Sequence, residues 1–261
     1  MSRTGWIGAI LVALTVLTTV VAFIWTPYDP FQVSNQLAAS PSAEHLLGTD
    51  RFGRDELSRL MSGAQITLSV AIVAVLIAAV IGVPLGIAAG MGFPLIMRGA
   101  DLLLAFPALL LAIIAGAVWG PSTLTAMIAI GIAGIPSFIR VARAGTLQVM
   151  HQDFIAAARI SGVSKPVIAV RHVLPNIVSL IVVQASVYCA LAILAEAGLS
   201  YLGLGTAPPA ASWGRMLHDA QTMLGTQPLL ALWPGLAIAL TVLGFNLLGD
   251  GLRDLLDPED Q

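Results

Sequence analysis

Long apolar stretches alternate with short charged segments along the chain. Residues 4–28, 60–97, 102–139, 173–195 and 220–249 carry no charged side chain. A helix that crosses the hydrocarbon core of a bilayer needs about 20 mostly apolar residues. The run WGPS at 119–122 is a turn signal that divides the third stretch in two. The pattern therefore predicts six membrane spans, with span one at 6–25, span two at 64–90, span five at 173–195 and span six at 229–248.

Composition indicates the same class, an all-α integral membrane protein. Hydrophobic residues make up 57% of the 261 residues and charged residues 10%, against roughly 25% charged residues in a soluble domain. A net charge of −2 disfavours a nucleic-acid-binding protein, which needs a concentrated basic face. The single cysteine excludes a disulfide framework within the chain. The single lysine, Lys165, precedes Pro166, so the chain lacks the Gly-Lys-Ser/Thr sequence of a P-loop ATPase.

The distribution of positive charge predicts the orientation of the spans. Six spans place both termini on one side of the membrane, and positive residues are enriched on the cytoplasmic side. The side of the termini holds eight Lys and Arg residues and the other side holds four, which are Arg51, Arg54, Arg59 and Arg215. We therefore expect both termini in the cytoplasm.

Two polar segments connect the spans. The outer segment covers residues 26–63, and the helical spacing of Leu57, Leu60 and Met61 at its end predicts a short interfacial helix before span two. The inner segment covers residues 141–172 and is strongly basic. A connector needs no more than to join two spans, whereas this segment contains signals for two helices.

The first predicted helix of the inner segment covers residues 154–161. Asp153 is expected to cap it and Gly162 to end it. The alanines at 156–158 are small enough to let the surface of another protein approach the helix backbone. Lys165-Pro166 then starts a second helix, and Pro175 bends the chain where it re-enters the membrane. A simple connector is the default interpretation of such a segment, and these features add weight to the alternative, a docking segment.

This inner segment resembles the EAA loop of ABC-importer permeases. That motif reads Glu-Ala-Ala, three residues, Gly, nine residues, Ile, one residue, Leu-Pro, and residues 156–175 match its spacing throughout. Two positions depart, since Ala156 replaces the Glu and His172 replaces the Ile. The resemblance implies that the inner segment at 141–172, called the coupling segment below, transmits motion from an ATPase. The residues assigned to this coupling, including one at the start of span five, are Asp153, Phe154, Ala156, Ala157, Ala158, Arg159, Gly162 and Pro175.

Three further motifs resemble the dipeptide/oligopeptide/nickel branch of these permeases, and its C-type permease in particular. They are LGTD at 47–50 with GRD at 53–55 and SRL at 58–60; EAGLSYLGLG at 196–205 with SWG at 212–214; and PGL at 234–236 with FNLLGDGLRD at 245–254 and Asp257-Pro258. The resemblance implies a single MetI-like transmembrane permease domain over residues 1–261. It also implies a homologous second permease, two cytoplasmic ABC ATPases that bind ATP and Mg²⁺, and an external solute-binding protein.

Three polar residues in or near span five are candidates for the translocation path. Gln184 and Tyr188 lie one helical turn apart and can hydrogen-bond to a peptide, or equally between helices. Glu196 either lines the path or is a charge at the outer interface, bonded to the loop that follows it. The structural alternative is the favoured one for Glu196.

Function is predicted as the permease subunit of an ATP-driven peptide importer in the inner membrane of a bacterium, with no catalytic residue, metal or cofactor of its own. A nickel-chelate permease of the same family is the alternative. A secondary transporter is disfavoured because ionisable residues other than Glu196 are missing from the span interiors. A membrane enzyme is disfavoured because no span contains a histidine that could serve as a base.

Overall fold

A computed structural model describes residues 3–256, and within them ten α-helices account for most of the chain. Residues Asp257 and Pro258 of the last sequence motif lie outside the described residues. The helices are α1 (Arg3–Ile24), α2 (Glu56–Gly90), α3 (Leu95–Leu104), α4 (Ala108–Trp119), α5 (Thr123–Met150), α6 (Asp153–Ile160), α7 (Lys165–Ile168), α8 (Leu174–Tyr201), α9 (Trp213–Ala220) and α10 (Leu229–Leu256).

Five stretches of helix are long and apolar enough to cross a bilayer without a break. They are α1, α2, α5, α10 and the continuous run Lys165–Tyr201, which joins α7 to α8 through a π-helical turn at Ala169–Val173. The fourth predicted span begins as expected, because Ser122 of the WGPS run caps α5 and accepts a hydrogen bond from the Thr125 amide. The inner segment is shorter than predicted, since α5 remains helical as far as Met150.

The third predicted span is a bent pair instead of one continuous helix. Helices α3 and α4 meet at 77° across residues 105–107. Pro107 lies at the break with φ −55° and ψ 129°. Proline has no amide hydrogen to donate, and it disfavours helical geometry at the residue before it, so α3 cannot continue through Phe106 into α4. The chain therefore has five unbroken spans, or six when the bent pair is included.

Small residues on α2 hold α2 and α5 in close contact. Ala74, Ala78, Gly82, Gly86 and Gly90 recur at every fourth position and form one face of α2. A Cβ atom added at Gly82 would lie 2.7 Å from the Phe138 Cβ, and one added at Gly90 would lie 2.6 Å from the Thr146 Cγ2. These separations are too short for any side chain. Helix α5 therefore fits against α2 only because glycine occupies positions 82, 86 and 90, which form the glycine stripe of α2.

Glycines also bring α1 and α10 together at the edge of the bundle. A Cβ atom at Gly244 would lie 2.9 Å from the Leu11 Cβ, and one at Gly8 would lie 2.7 Å from the carbonyl carbon of Leu247. Thr15 and Thr241 add a hydroxyl–hydroxyl hydrogen bond of 3.0 Å across the same contact. Most of the remaining surface of α1 is exposed.

The interfacial helix predicted before span two is part of span two. Asp55 caps α2 by accepting a hydrogen bond of 2.8 Å from the Ser58 amide, and the helix then continues to Gly90. The residues before it fold over the outer end of the bundle and contain one isolated antiparallel bridge, Thr49 to Asp55.

Replacing Gly86 by valine should destabilise the bundle. A Cβ atom there would lie 2.7 Å from the Ala142 Cβ, and overpacking of this kind costs typically about 1–3 kcal/mol. The expected result is a lower apparent Tm of the purified protein in detergent. The matched control is Gly235→Val in α10, where no heavy atom lies within 4 Å of the added Cβ. Equal Tm values for the two variants would contradict the proposed role of the glycine stripe.

Candidate functional site

The coupling segment folds as predicted into a short helix that ends at a glycine. Gly162 has φ +76°, in the left-handed region that favours glycine. The Gly162 amide donates to the Arg159 carbonyl at 3.0 Å, and the Val163 amide donates to the Ala158 carbonyl at 3.0 Å. These bonds satisfy carbonyls at the end of α6 that have no partner within the helix. The direction in which the chain leaves α6 is therefore fixed by one residue type.

One buried isoleucine on each side of Gly162 anchors the coupling segment to the bundle. Ile155 in α6 is 0% exposed and Ile168 in α7 is 1% exposed. The opposite surface of α6 is open, since Ala156, Ala157 and Arg159 are exposed, Ala158 is half-buried, and the apolar side chain of Ile160 is 88% exposed. An exposed apolar patch on a short helix between spans is typical of a surface that binds another protein.

Asp153 does not cap α6, contrary to the sequence prediction. Gln152 occupies the N-cap position, no side chain there accepts a hydrogen bond from the helix, and Asp153 is the first helical residue. The Asp153 carboxylate is instead placed where the helix dipole favours a negative charge. Phe154, beside it, is 44% exposed, and its ring lies 6.2 Å from the ring of His172.

Pro175 stands at the junction between the coupling segment and span five. It lies in the first turn of α8, directly after the π-helical turn. Proline has no amide hydrogen to donate to a preceding carbonyl, and π-helical turns are a common way to absorb such an interruption. The Asn176 amide group donates to the His172 carbonyl at 2.6 Å across the junction. The chain therefore re-enters the membrane through an irregular but continuous helix.

Gln184 lines an open cleft in the inner half of the bundle. The cleft has a volume of about 730 Å³ and lies between α5, α8 and α10. Its polar side chains come from these three helices and from the link after α5, and they are Gln148, Gln152, Asn176, Ser179, Gln184 and Arg253. Phe154 of the coupling segment borders the same cleft. Hydrogen-bonding groups and the coupling segment therefore share one space on the inner side.

Tyr188 lies between helices, as the interhelical alternative expects. Its hydroxyl donates to the Ile130 carbonyl at 2.6 Å, and its ring packs edge-on against Phe138 with 5.8 Å between the ring centroids. The ring also covers Gly134, where a side chain would overlap it. Ser186, near it in sequence, donates to the Phe245 carbonyl at 2.7 Å and ties α8 to α10. In this chain Tyr188 packs α8 against α5.

Glu196 is fully buried at the outer end of α8 among hydroxyl groups. The Ser200 hydroxyl donates to one carboxylate oxygen at 2.6 Å, and the Thr67 hydroxyl donates to the other at 3.3 Å. Ser200 in turn accepts a hydrogen bond of 2.9 Å from the Thr206 amide in the following loop. The carboxyl group thus joins α2, α8 and that loop, as the structural alternative for Glu196 expects.

A buried charge cluster at the outer end was missed by the sequence analysis. Arg54 contacts Asp50 at 2.7 Å, and Arg59 contacts the same carboxylate at 3.4 Å. Asp219 of α9 is within 4.0 Å of four arginines, at 3.1 Å from Arg215, 3.4 Å from Arg51, 3.7 Å from Arg54 and 3.8 Å from Arg59. All four outward cations therefore meet at two aspartates, and the outer segment is joined to α9.

One sequence signal could have located half of this cluster. Arg215 and Asp219 are four residues apart, a spacing that pairs opposite charges on a helix. Asp50 and Arg54 have the same spacing but precede α2. The joining of the two pairs could not be found in this way, because Asp50 and Asp219 are far apart in sequence and meet only in the folded chain.

Comparison with known proteins places the chain in a family. Residues 82–259 match the family model described as binding-protein-dependent transport system inner membrane component. The chain is 42% identical over 259 residues to the dipeptide transport system permease protein DppC of Alkalihalophilus pseudofirmus, covering 97% of this chain and 85% of the relative. It is 45% identical over 259 residues to the glutathione transport system permease protein GsiD of Escherichia coli O6:K15:H31, again covering 97% and 85%.

The chain belongs to this family. It is a multi-pass inner-membrane permease subunit of an ABC importer, with a MetI-like transmembrane domain, and it is not itself an enzyme. Membership implies partnership with an ATPase and with a solute-binding protein. The matched residues include the whole coupling segment and Asp219, whereas the arginines of the outer segment precede them.

Removing the charge of Asp219 should destabilise this permease strongly. Asp219→Asn leaves Arg51 and Arg215 without a carboxylate partner among the described residues and leaves Asp50 with Arg54 and Arg59. Removal of one partner from a buried ion pair costs about 3–5 kcal/mol. At roughly 2–4 °C per kcal/mol for a chain of this size, the apparent Tm should fall by about 6–20 °C. Thermal unfolding of the purified protein in detergent measures the change.

The matched control breaks an exposed ion pair on the opposite side. Arg140 contacts Asp101 at 2.8 Å, but the two side chains are 55% and 58% exposed. Asp101→Asn should cost no more than about 1 kcal/mol, since solvent screens such pairs. If Asp101→Asn lowered the Tm as much as Asp219→Asn does, burial of the outer cluster would contribute nothing to the stability of the fold.

Proposed function

We propose that this permease forms half of the membrane path for di- and oligopeptides delivered by an external solute-binding protein. The observation that carries the coupling role is the exposed surface of α6 beside a fixed glycine turn. The peptide substrate is supported by relatives whose names specify dipeptide and glutathione transport. Glutathione is itself a small peptide, so both names agree on the chemical class.

The assembly that fits this role contains one homologous second permease and two cytoplasmic ABC ATPases. The ATPases bind ATP and Mg²⁺, and this chain requires no cofactor, metal or nucleic acid. Its coupling segment binds one ATPase through the exposed surface of α6 at Ala156, Ala157 and Ile160. The second permease completes the path, because the described residues of this chain do not enclose the cleft beside Gln184.

Closure of the ATPase pair would reach the spans through the buried anchors of the coupling segment. Helix α6 follows α5 after a short link at residues 151–152, and it leads into α8 through α7 and the π-helical turn. Because Ile155 and Ile168 are buried against the bundle, a shift of α6 cannot leave the inner ends of α5 and α8 in place. Those two helices line the cleft, so the shift would change the width of the cleft. Access to the cleft would thereby switch from one side of the membrane to the other.

Within the cleft, amide side chains suit a peptide better than a fixed charge pattern would. Gln148, Gln152, Asn176 and Gln184 can each donate and accept hydrogen bonds. Every peptide backbone presents hydrogen-bond donors and acceptors, whatever its side chains. Such a lining can therefore bind peptides of different sequence. Gln184 is therefore retained as the proposed path residue, while Tyr188 and Glu196 pack and join helices.

The proposed orientation places the termini and the coupling segment in the cytoplasm and residues 26–63 outside. In a Cys189→Ser background, a cysteine at the exposed position Ser42 should react with a membrane-impermeant thiol reagent in intact cells. A cysteine at the exposed position Ser161 should react only after the membrane is opened. The inverse pattern would overturn the orientation while leaving the fold unaffected.

Bulk or strain in the coupling segment should uncouple transport from ATP hydrolysis. Ala157→Trp adds bulk to an exposed surface and should block the ATPase contact without disturbing the bundle. Gly162→Val forces a β-branched residue into φ +76°, which only glycine adopts easily. For both variants we expect normal membrane abundance, loss of ATPase co-purification or of ATP hydrolysis stimulated by the binding protein, and at least tenfold slower peptide uptake.

Two controls match these variants. Ala157→Ser keeps the residue small, and Gly225→Val places the same side chain at a glycine of the outer loop with no heavy atom within 4 Å. Both should transport normally. Fully coupled uptake by both test variants at normal abundance would reduce this segment to a connector.

A further inference from the structure

A second groove lies on the inner side, between the inner end of α2 and the chain that leads into α8. It has a volume of about 340 Å³ and shares no lining residue with the cleft beside Gln184. Its apolar wall includes Val83, Ile87, Val170 and Leu174, and Lys165 is the one charged residue that lines it. Val170 is 67% exposed, so the groove opens outward from the bundle.

A cationic pocket adjoins this groove. The pocket has a volume of about 370 Å³, is lined by Arg159 and Lys165, and shares Met91 and Lys165 with the groove. Within residues 3–256, no carboxylate lies within 4.0 Å of either cation. An apolar groove therefore continues into a site with two positive charges that the described part of the chain does not neutralise.

The two parts follow one another in the order of the apolar chain and the charged headgroup of a phospholipid. The apolar wall comes from the inner end of α2 and from the residues that lead into α8, whereas the cations lie at the end of α6 and the start of α7. Basic pockets between spans on the cytoplasmic side bind anionic headgroups, and the cytoplasmic leaflet is rich in anionic lipid.

We propose that this groove and pocket bind one anionic phospholipid of the cytoplasmic leaflet. An acyl chain lies along Val83, Ile87 and Val170, and the phosphate lies between Arg159 and Lys165. A soluble ATPase could approach the cations but could not reach the apolar wall within the bilayer. A helix of a second permease could fill the groove, but an apolar helix would leave the two cations without partners. The site rests on the proposed orientation, and it does not depend on the substrate.

Lipid retention by the assembled importer tests this site directly. The probes are phosphatidylglycerol and phosphatidylcholine with identical acyl chains, and native mass spectrometry measures the lipid bound to the complex. We expect one phosphatidylglycerol to be retained in preference to phosphatidylcholine. Lys165→Gln should weaken phosphatidylglycerol binding about fivefold, the effect of about 1 kcal/mol for one cation near the membrane surface.

Three further variants separate the two halves of the site. Lys165→Arg keeps the charge and should retain the lipid. Arg171→Gln removes an exposed cation of the same segment that lines neither cavity and should have no effect. Ala88→Trp fills the groove at a half-buried lining position and should weaken both lipids equally, since it removes space for the acyl chain.

Three outcomes would overturn the assignment. Equal retention of the two lipids, unchanged in Lys165→Gln, would show no headgroup recognition. Displacement by glycerol 3-phosphate at the concentration of the lipid would assign the cations to a free phosphate. Loss of the ATPase from Lys165→Gln with lipid retention unchanged would assign them to that subunit. Each readout is binding and not uptake, so a failure here is distinguishable from a failure of the proposed transport function, which the uptake assay tests.

Discussion

The close approach of α2 and α5 is the constraint on which the rest of this structure depends. Burial of apolar side chains does not hold helices together in a bilayer, because lipid tails are as apolar as the side chains themselves. Contact must come from packing, and the stripe at Gly82, Gly86 and Gly90 lets the α5 backbone lie directly on α2. This contact fixes the inner end of α5, from which the coupling segment continues. It also fixes one wall of the cleft that contains Gln184.

Buried polar groups then fix α8 relative to this pair. Tyr188 bonds to α5, Ser186 to α10 and Glu196 to α2, each through a hydrogen bond to a carbonyl or a hydroxyl group. In a medium without water an unsatisfied group of this kind is expensive, so the bonds select one arrangement of α8. Ser186, Tyr188 and Glu196 lie progressively nearer the outer end of α8, whereas the chain that leads into its inner end is held by the buried side chains of Ile168 and Val173. The inner end of α8 is thus the part that a shift of the coupling segment can move first.

Sequence reasoning located most structural features that depend on neighbouring residues, and it missed the contacts that depend on residues far apart in sequence. The spans follow from the length of the apolar runs, and the positive φ of Gly162 follows from its place after a short helix. The break between α3 and α4 was missed although Pro107 marks it, because the run around it is uniformly apolar. The capping role given to Asp153 failed because the helix starts one residue earlier than expected, so that Gln152 occupies the N-cap position. The outer cluster requires Asp50 and Asp219 to meet through the tertiary fold, which no local pattern encodes.

The two faces of the molecule use their cations in opposite ways. On the outer face Arg51, Arg54, Arg59 and Arg215 are all bound to aspartates within the fold. On the inner face Arg140 pairs with Asp101, while Arg98, Arg159, Lys165 and Arg171 have no carboxylate of residues 3–256 within 4.0 Å. Two aspartates do not neutralise four arginines, but they hold the outer cations inside the fold, whereas most inner cations have no carboxylate partner among the described residues. Because the cytoplasmic leaflet is the anionic one, unpaired cations on the inner face agree with the orientation that we propose.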